Sequence, residues 1–186
     1  MKLYFAPRTR AIRARWLLEE LGVPYELVRL DLSKEENKTP DYLALNPLGE
    51  LPVLVDGEVT LFESVAVCLH LADRFPERNL APPPGSPERG DYLQWLVFAE
   101  MTLEAALADP SRNAQRPPVD TILSVIEARV AGREFIAGSS FSAADVVMAS
   151  VLHRAHTQNL LGNHGPLMDY VRRHTGRPAS RRAVLG

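Results

Sequence analysis

The segment from Asn46 to Ser64, NPLGELPVLVDGEVTLFES, holds two short apolar runs, LPVLV and VTLF, on either side of Asp56-Gly57. An Asp-Gly pair suits the positive φ angles of a tight turn, so the segment predicts a β-hairpin with this dipeptide at its tip. Pro52 stands where the first strand should begin to pair, although proline has no N–H to donate. The polar pair Glu63-Ser64 stands where a helix is predicted to begin. Both features need an explanation beyond strand formation.

The first half of the chain alternates strand and helix patterns around this hairpin. KLYFA (2–6) is a short β-prone run, and RAIRARWLLEELG carries apolar residues at helical spacing before Gly22 ends the pattern. PYELVRLDL (24–32) alternates as a half-buried strand does, and SVAVCLHLADRFP (64–76) predicts a helix that Pro76 ends. The predicted order is β-α-β, then an irregular or helical stretch, then β-β-α.

The second half of the chain has a different pattern. The segment PERNLAPPPGSPER (76–89) carries five prolines and a glycine and predicts an interdomain linker. Beyond it the apolar spacing is helical, and SFSAADVVMASVL begins with Ser142 as N-cap and Asp145 three residues on, a capping box. A last short helix is predicted from Pro166 to about Thr175. We predict a first domain over 1–76, a linker over 77–88 and an all-helical domain over 89–186.

Composition excludes several classes of protein. Apolar residues make up 46% and charged residues 24%, and the net charge of −2 favours neither nucleic acid nor an anionic membrane. No apolar stretch approaches the ~20 residues of a membrane span. The apolar core of the N-terminal segment MKLYFAPRTR is too short for a signal peptide. The single cysteine, Cys68, cannot form an intramolecular disulfide and fits the cytoplasm. Within the helix 64–75 it is expected to be buried as a small apolar residue.

Five blocks together resemble one family: KLYFAPRTR, RWLLEELGVPYE, NPLGELPVL, the pair ES at 63–64, and FSAADVVMAS. The chain resembles the cytosolic glutathione transferases over essentially its whole length. The resemblance implies a thioredoxin-like domain with the order β-α-β-α-β-β-α and an all-α helical bundle. It also implies a homodimer that uses glutathione as co-substrate with a small electrophile, and no further cofactor.

The resemblance explains the two features of the opening segment. In the family the bond before the equivalent of Pro52 is cis, and it turns the N–H and C=O of Leu51 outward to pair with the cysteinyl part of glutathione. The alternative is a trans proline on an edge strand. Ser64 would bind the γ-glutamyl carboxylate at a helix N-terminus, and Glu63 would pair with the ammonium group. The alternative is plain helix capping by Ser64 with Glu63 exposed.

Four arginines, Arg8, Arg10, Arg13 and Arg15, crowd the N-terminal end of the first predicted helix, where the helix dipole is already positive. Arg10 is best placed to meet a ligand carboxylate. Arg13 and Arg15 are expected to be solvated, with a position against a second subunit as the alternative.

The residue that activates the thiol is left open by the sequence. A free thiol titrates at ~8.5, so the thiolate needs a hydrogen-bond donor or a positive field. The family uses Tyr, Ser or Cys near the end of the first strand; Tyr4 matches the tyrosine position, whereas Arg10 occupies the cysteine position and the loop has no serine. The candidates are Tyr4 and the Thr9 hydroxyl or amide with Arg10; the absence of a competent donor is the third possibility.

The predicted function is conjugation of the glutathione thiol to small hydrophobic electrophiles. The alternative is a non-catalytic glutathione-binding or scaffold protein, which the missing Cys or Ser and a shortened helical region over 102–118 favour. Thiol–disulfide exchange is disfavoured because Arg10 replaces the cysteine. No metal site is predicted, since His153 and His156 at i, i+3 have no neighbouring thiols or carboxylates in sequence. Asp145 is expected to serve folding, and His70 to lie at the surface or to face the linker.

Overall fold

The computed structural model describes residues 1–108 and 117–185. The chain forms two compact units: Met1–Arg78 with the segment from Pro178 onward, and Asn79–Arg177. The boundary after Arg78 falls inside the predicted linker. The C-terminal segment, which was predicted to belong to the helical domain, groups with the first unit instead.

The first unit is a four-stranded sheet with helices, in the predicted order β-α-β-α-β-β-α. The strands pair in the order β2-β1-β3-β4, with β1 parallel to β2 and the other pairs antiparallel. Two 3₁₀ turns, Leu32–Lys34 and Glu36–Lys38, precede α2. The bounds are β1 Lys2–Phe5, α1 Ala11–Leu21, β2 Glu26–Arg29, α2 Pro40–Leu45, β3 Val53–Asp56, β4 Val59–Phe62 and α3 Ser64–Arg74.

Local signals account for most of these bounds. Gly22 ends α1 in the left-handed conformation with φ 64°, which a residue without a side chain adopts at low cost. Strand β2 is shorter than the predicted 24–32, because the chain turns into a 3₁₀ helix at Leu32. The hairpin is confirmed, but its turn residues are Gly57-Glu58, since Asp56 still pairs with Val59.

The shift of the turn has a tertiary cause. The buried carboxylate of Asp56 accepts from His70 Nε2 at 2.9 Å and from Arg74 Nε at 2.8 Å, both on α3. Asp56 therefore serves as an anchor between β3 and α3, and Gly57 takes the positive φ of 63° that the turn requires. His70 is partly buried in this hydrogen bond to Asp56 rather than free at the surface.

The helix α9, Pro178–Leu185, was missed by the sequence analysis. It packs against α1 and buries Ala179 and Ala183. Arg182 Nε donates to Glu19 Oε2 at 2.7 Å, and the Tyr25 hydroxyl donates to the other carboxylate oxygen at 2.7 Å. Burial acts to raise the pKa of Glu19, but these two hydrogen bonds outweigh it and lower the pKa.

The second unit is helical in all its regular elements within the described residues. Its helices are α4 Pro87–Phe98, a π-helical segment Ala99–Glu104, α5 Ala105–Ala108, α6 Val119–Val130, α7 Ala143–Thr157 and α8 Gly165–Thr175. The helix that was predicted from Pro166 begins one residue earlier. The proposed shortening over 102–118 falls partly on residues 109–116, which lie outside the described residues. Within the described ranges, no helix is both long and apolar enough to cross a lipid bilayer.

The predicted capping box at the start of α7 is confirmed. Asp145 is fully buried and accepts from the Ser142 amide at 2.9 Å, the Ile136 amide at 2.8 Å and the Tyr170 hydroxyl at 2.7 Å. Burial raises the pKa of Asp145, while these hydrogen bonds act in the opposite direction. The side chain thus joins α7, α8 and the loop before them, which is a folding role.

His164 makes a second polar link inside this unit. It is 4% exposed, and its ring nitrogens lie 2.9 Å from Glu127 Oε2 and 3.1 Å from Asp120 Oδ1. Only the imidazolium can donate from both nitrogens. Hydrogen bonds to Glu127 and, more weakly, Asp120 accordingly raise the pKa of His164 above its ordinary value, although burial opposes them.

This link predicts a pH-dependent stability. Because the pKa of His164 is raised in the folded state, its stabilisation is fully present below the unfolded pKa of ~6.5 and is lost as pH rises through the folded pKa. The Tm difference between the wild type and His164→Gln should be largest near pH ~6 and should shrink towards pH ~9. The matched control is the exposed His156→Gln. A difference for His164→Gln that is constant across this range would contradict the assignment.

Candidate active site

The loop before β3 is held by the buried side chain of Asn46. Asn46 Oδ1 accepts from the Leu48 amide at 3.1 Å, and Nδ2 donates to the Glu50 carbonyl at 2.9 Å. The Gly49 amide donates to the Asn46 carbonyl at 2.9 Å, and the Tyr42 hydroxyl donates to the Glu50 carbonyl at 2.7 Å. The backbone of this loop is therefore largely satisfied from within the unit.

A second set of contacts fixes the same loop from the other side. Asn37 Nδ2 donates to the Gly49 carbonyl at 2.7 Å, and Lys38 Nζ donates to the Leu48 carbonyl at 3.1 Å. Gly49 has φ 66°, and a Cβ there would lie 2.8 Å from the Asn37 carbonyl oxygen, so a larger residue does not fit. Burial raises the pKa of the Tyr42 phenol, with Glu50 nearby adding to the effect, and keeps it a donor.

Leu51 is the first residue after this loop, and the Leu51–Pro52 peptide bond is cis, so the alternative of a trans proline is wrong. Its side chain is buried in a cluster with the following residues: Phe5, Ala6, Ala11, Tyr42 and Val53. Outside helices and strands, no backbone hydrogen bond of the described residues involves the Leu51 N–H or C=O. These two groups can therefore pair with an extended ligand backbone.

The start of α3 lies one hairpin further along the chain. Ser64 is its first residue and is 3% exposed, whereas Glu63 is exposed and has φ 71° and ψ 112°, an unusual conformation for a residue with a side chain. Ser64 Oγ accepts from Arg13 Nη1 at 3.1 Å and does not cap α3, so the plain capping alternative fails. The amide groups of the first turn and the helix dipole favour an anion at this position.

The expectation that Arg13 and Arg15 are solvated is wrong. They are 3% and 5% exposed, and the Arg15 guanidinium lies 5.0 Å from the centroid of the Phe5 ring. The reason is that α1 packs against β1, α3 and α9, which cover it on several sides. Arg8 and Arg10 are exposed, and Arg10 stands at the N-cap position of α1.

The two predicted thiol activators differ in their surroundings. The Thr9 hydroxyl donates its one proton to the Ala6 carbonyl at 2.7 Å and accepts from the Ala11 amide at 3.3 Å. Tyr4 is partly exposed on β1 and packs edge-on against Tyr42 with ring centroids 5.5 Å apart, beside the cluster that holds Leu51. No hydrogen bond of the Tyr4 hydroxyl occurs within the part of the chain that the structure describes. The Thr9 proton is committed, and the Tyr4 proton is not.

Cys68 and the pair His153 and His156 are the remaining candidates from the sequence. Cys68 is buried on α3, as predicted. The rings of His153 and His156 lie 6.3 Å apart in the second unit. Across residues 1–108 and 117–185, no group of three or more His, Cys, Asp or Glu side chains is placed to hold a metal ion.

Comparisons with known proteins agree with this fold. Residues 1–73 match the glutathione S-transferase N-terminal domain family, and residues 102–173 match the corresponding C-terminal domain family. The chain is 32% identical to glutathione S-transferase F10 of Arabidopsis thaliana over 181 residues, which cover 87% of this chain and 80% of the relative.

Two solved structures are also similar. The ternary complex of BphK, a bacterial glutathione S-transferase, is 32% identical with a TM-score of 0.86 and covers 99% of this chain and 98% of that one. A sphingomonad glutathione S-transferase complexed with glutathione is 29% identical with a TM-score of 0.83. The match covers 99% of this chain and 97% of that one.

A thioredoxin-like unit and a helical unit define the class of the protein. Together with these similarities, they show that the chain belongs to the glutathione S-transferase family, and its activity is that of a glutathione S-transferase.

The contacts around Asn46 generate a stability prediction. Asn46→Ala removes one donor and one acceptor and leaves the Leu48 amide unpaired, so the free energy of unfolding should fall by about 2 kcal/mol. Chemical denaturation of the variant measures this loss. Asn163→Ala, at an exposed position in the second unit, is the control and should change it by less than about 0.5 kcal/mol. Equal effects at the two positions would refute the bracing role of Asn46.

Proposed function

We propose that the first unit binds glutathione along Leu51 and the start of α3, and that the enzyme conjugates the thiol to small hydrophobic electrophiles. One observation carries the proposal. Among the described residues outside helices and strands, no backbone group is hydrogen-bonded to the N–H or C=O of Leu51. The start of α3, which is suited to a carboxylate, follows one hairpin later in the chain. The cysteinyl residue of glutathione has the complementary N–H and C=O, so the pairing resembles the addition of a one-residue strand.

The two ends of the tripeptide find complementary charges in this arrangement. Ser64 would donate its hydroxyl proton and amide to the γ-glutamyl carboxylate, and the exposed Glu63 would pair with the ammonium group. The exposed Arg10, at the start of α1, is assigned to a ligand carboxylate. The similar sphingomonad enzyme was solved with glutathione bound, which supports glutathione as the ligand.

Tyr4 is proposed as the group that activates the thiol. Its phenol carries an uncommitted proton beside the cluster that contains Leu51, whereas the Thr9 proton is engaged with Ala6. The thiol gives its proton to water, and donation from the phenol to sulfur stabilises the resulting thiolate. The thiolate then attacks the electrophilic carbon, a C–S bond forms, and the leaving group departs with its electron pair. The Thr9 amide with Arg10 remains the second candidate for this role.

The assembly and compartment also belong to the proposal. We assign the chain to the cytoplasm, in keeping with its single buried cysteine, and to a homodimer, in keeping with its family. No cofactor beyond the co-substrate glutathione enters the reaction.

Ser64→Ala tests the binding site. Loss of the hydroxyl proton donated to the carboxylate should raise KM for glutathione by roughly 10- to 100-fold and abolish retention on immobilised glutathione. Ser139→Ala, at an exposed loop position in the second unit, is the control and should be retained. Retention of Ser64→Ala at wild-type strength would remove Ser64 from the site.

Tyr4→Phe tests the thiol activator. It should lower kcat/KM with an aromatic halide by roughly 10²-fold and move the rate–pH profile to higher pH, because the thiol returns towards its ordinary pKa. Thr9→Val should keep the wild-type profile. The opposite pattern would transfer the role to Thr9, and unchanged profiles in both variants and in Arg10→Ala would show that the site assignment is wrong.

A further inference from the structure

We propose that Arg13 is a positioning residue for the γ-glutamyl end of glutathione. Its guanidinium orients the Ser64 hydroxyl and places a buried positive charge behind the carboxylate site at the start of α3. This inference rests on the proposed binding of glutathione and adds to it a residue that never touches the ligand.

The geometry of the pair supports this role. Arg13 Nη1 donates to Ser64 Oγ at 3.1 Å across 51 residues of sequence, and both side chains are 3% exposed. The two residues lie on α1 and α3, which pack against each other. A hydrogen bond between buried groups of two packed helices holds the hydroxyl oxygen in one place relative to the first turn of α3.

The direction of the hydrogen bond determines what Ser64 can offer a ligand. A serine hydroxyl has one proton and two acceptor sites, and a guanidinium can only donate. Arg13 therefore occupies a lone pair of Ser64 Oγ and leaves the proton. That proton makes no second hydrogen bond within the described residues, so it is available for a carboxylate oxygen. Donation from Arg13 also polarises the hydroxyl and makes it a stronger donor.

Charge gives the second contribution. The N-terminus of α3 carries the positive end of the helix dipole, and the buried guanidinium adds a positive charge on the same side. A carboxylate at the start of α3 would interact favourably with both of these positive groups. The carboxylate proposed at Ser64 is the α-carboxylate of the γ-glutamyl residue.

Arg15 provides a matched comparison on the same helix. It is buried to nearly the same degree, yet its guanidinium stacks on Phe5 rather than contacting Ser64. Loss of either arginine removes a buried charge from α1, so both variants should lose stability. Only the loss of Arg13 should change how the enzyme recognises the γ-glutamyl carboxylate.

The experiment compares two ligands by titration calorimetry: glutathione, and 4-aminobutyryl-cysteinyl-glycine, which lacks only the γ-glutamyl α-carboxylate. The readout is the ratio of the analogue Kd to the glutathione Kd, which we expect to be at least about 10 for the wild type. Arg13→Gln should raise the Kd for glutathione by roughly 10-fold and the Kd for the analogue by less than about 2-fold, so the ratio of the two should fall sharply. Arg15→Gln should keep the wild-type ratio.

Two further variants complete the test. When Arg13→Gln is added to Ser64→Ala, the Kd for glutathione should rise by a further factor of less than about 3, because Arg13 acts largely through Ser64. Arg13→Lys keeps the charge without the planar fork, so its ratio should fall by about 2- to 5-fold. If Arg13→Gln does not fold, Arg13→Lys carries the test.

The outcomes separate this inference from the proposed function. A wild type that binds neither ligand overturns both. A wild type that binds glutathione selectively, together with an Arg13→Gln variant of unchanged ratio, overturns the role of Arg13 and leaves the glutathione site intact. An equal fall of the ratio in Arg15→Gln, or an unchanged ratio in Arg13→Lys when it alone folds, also overturns it.

Discussion

The hydrogen bonds that hold the backbone of the loop 46–50 are the constraint on which the site depends. Asn46 and Tyr42 bind the Leu48 and Gly49 amides and the Glu50 carbonyl, and Asn37 and Lys38 bind the Gly49 and Leu48 carbonyls. The ladder of β3 begins at Val53. Leu51 lies between these two stretches, with a buried side chain and a backbone that neither stretch uses. A protein that leaves one N–H and one C=O without a partner at a defined place provides a docking point for another backbone.

Electrostatics then selects the kind of peptide that fits. The starts of α1 and α3 are both positive ends of helices, and Arg10 and Arg13 add charges of the same sign. Glu63, at the N-cap position of α3, is exposed and suited to an ammonium group. A small peptide with two carboxylates and one ammonium complements this distribution.

The sequence predicted the features that local chemistry decides. The hairpin, the end of α1 at Gly22 and the capping box at Ser142 follow from residues a few positions apart, and the structure has all three. It could not predict features decided by contacts between distant residues. The turn lies one residue later because Asp56 binds α3, and Arg13 and Arg15 are buried because α3 and α9 cover α1. Helix α9 itself was missed, although Pro178 and the small apolar pair Ala179 and Ala183 marked it.

The central claim is that glutathione pairs with the backbone of Leu51 while its γ-glutamyl carboxylate lies at Ser64. A crystal structure of the enzyme with glutathione tests it most directly. The account predicts both hydrogen bonds between the cysteinyl residue and Leu51, at ~2.9 Å, and a carboxylate oxygen within ~3 Å of Ser64 Oγ. A tripeptide bound elsewhere, or bound in the reverse direction with its glycyl carboxylate at Ser64, would contradict it.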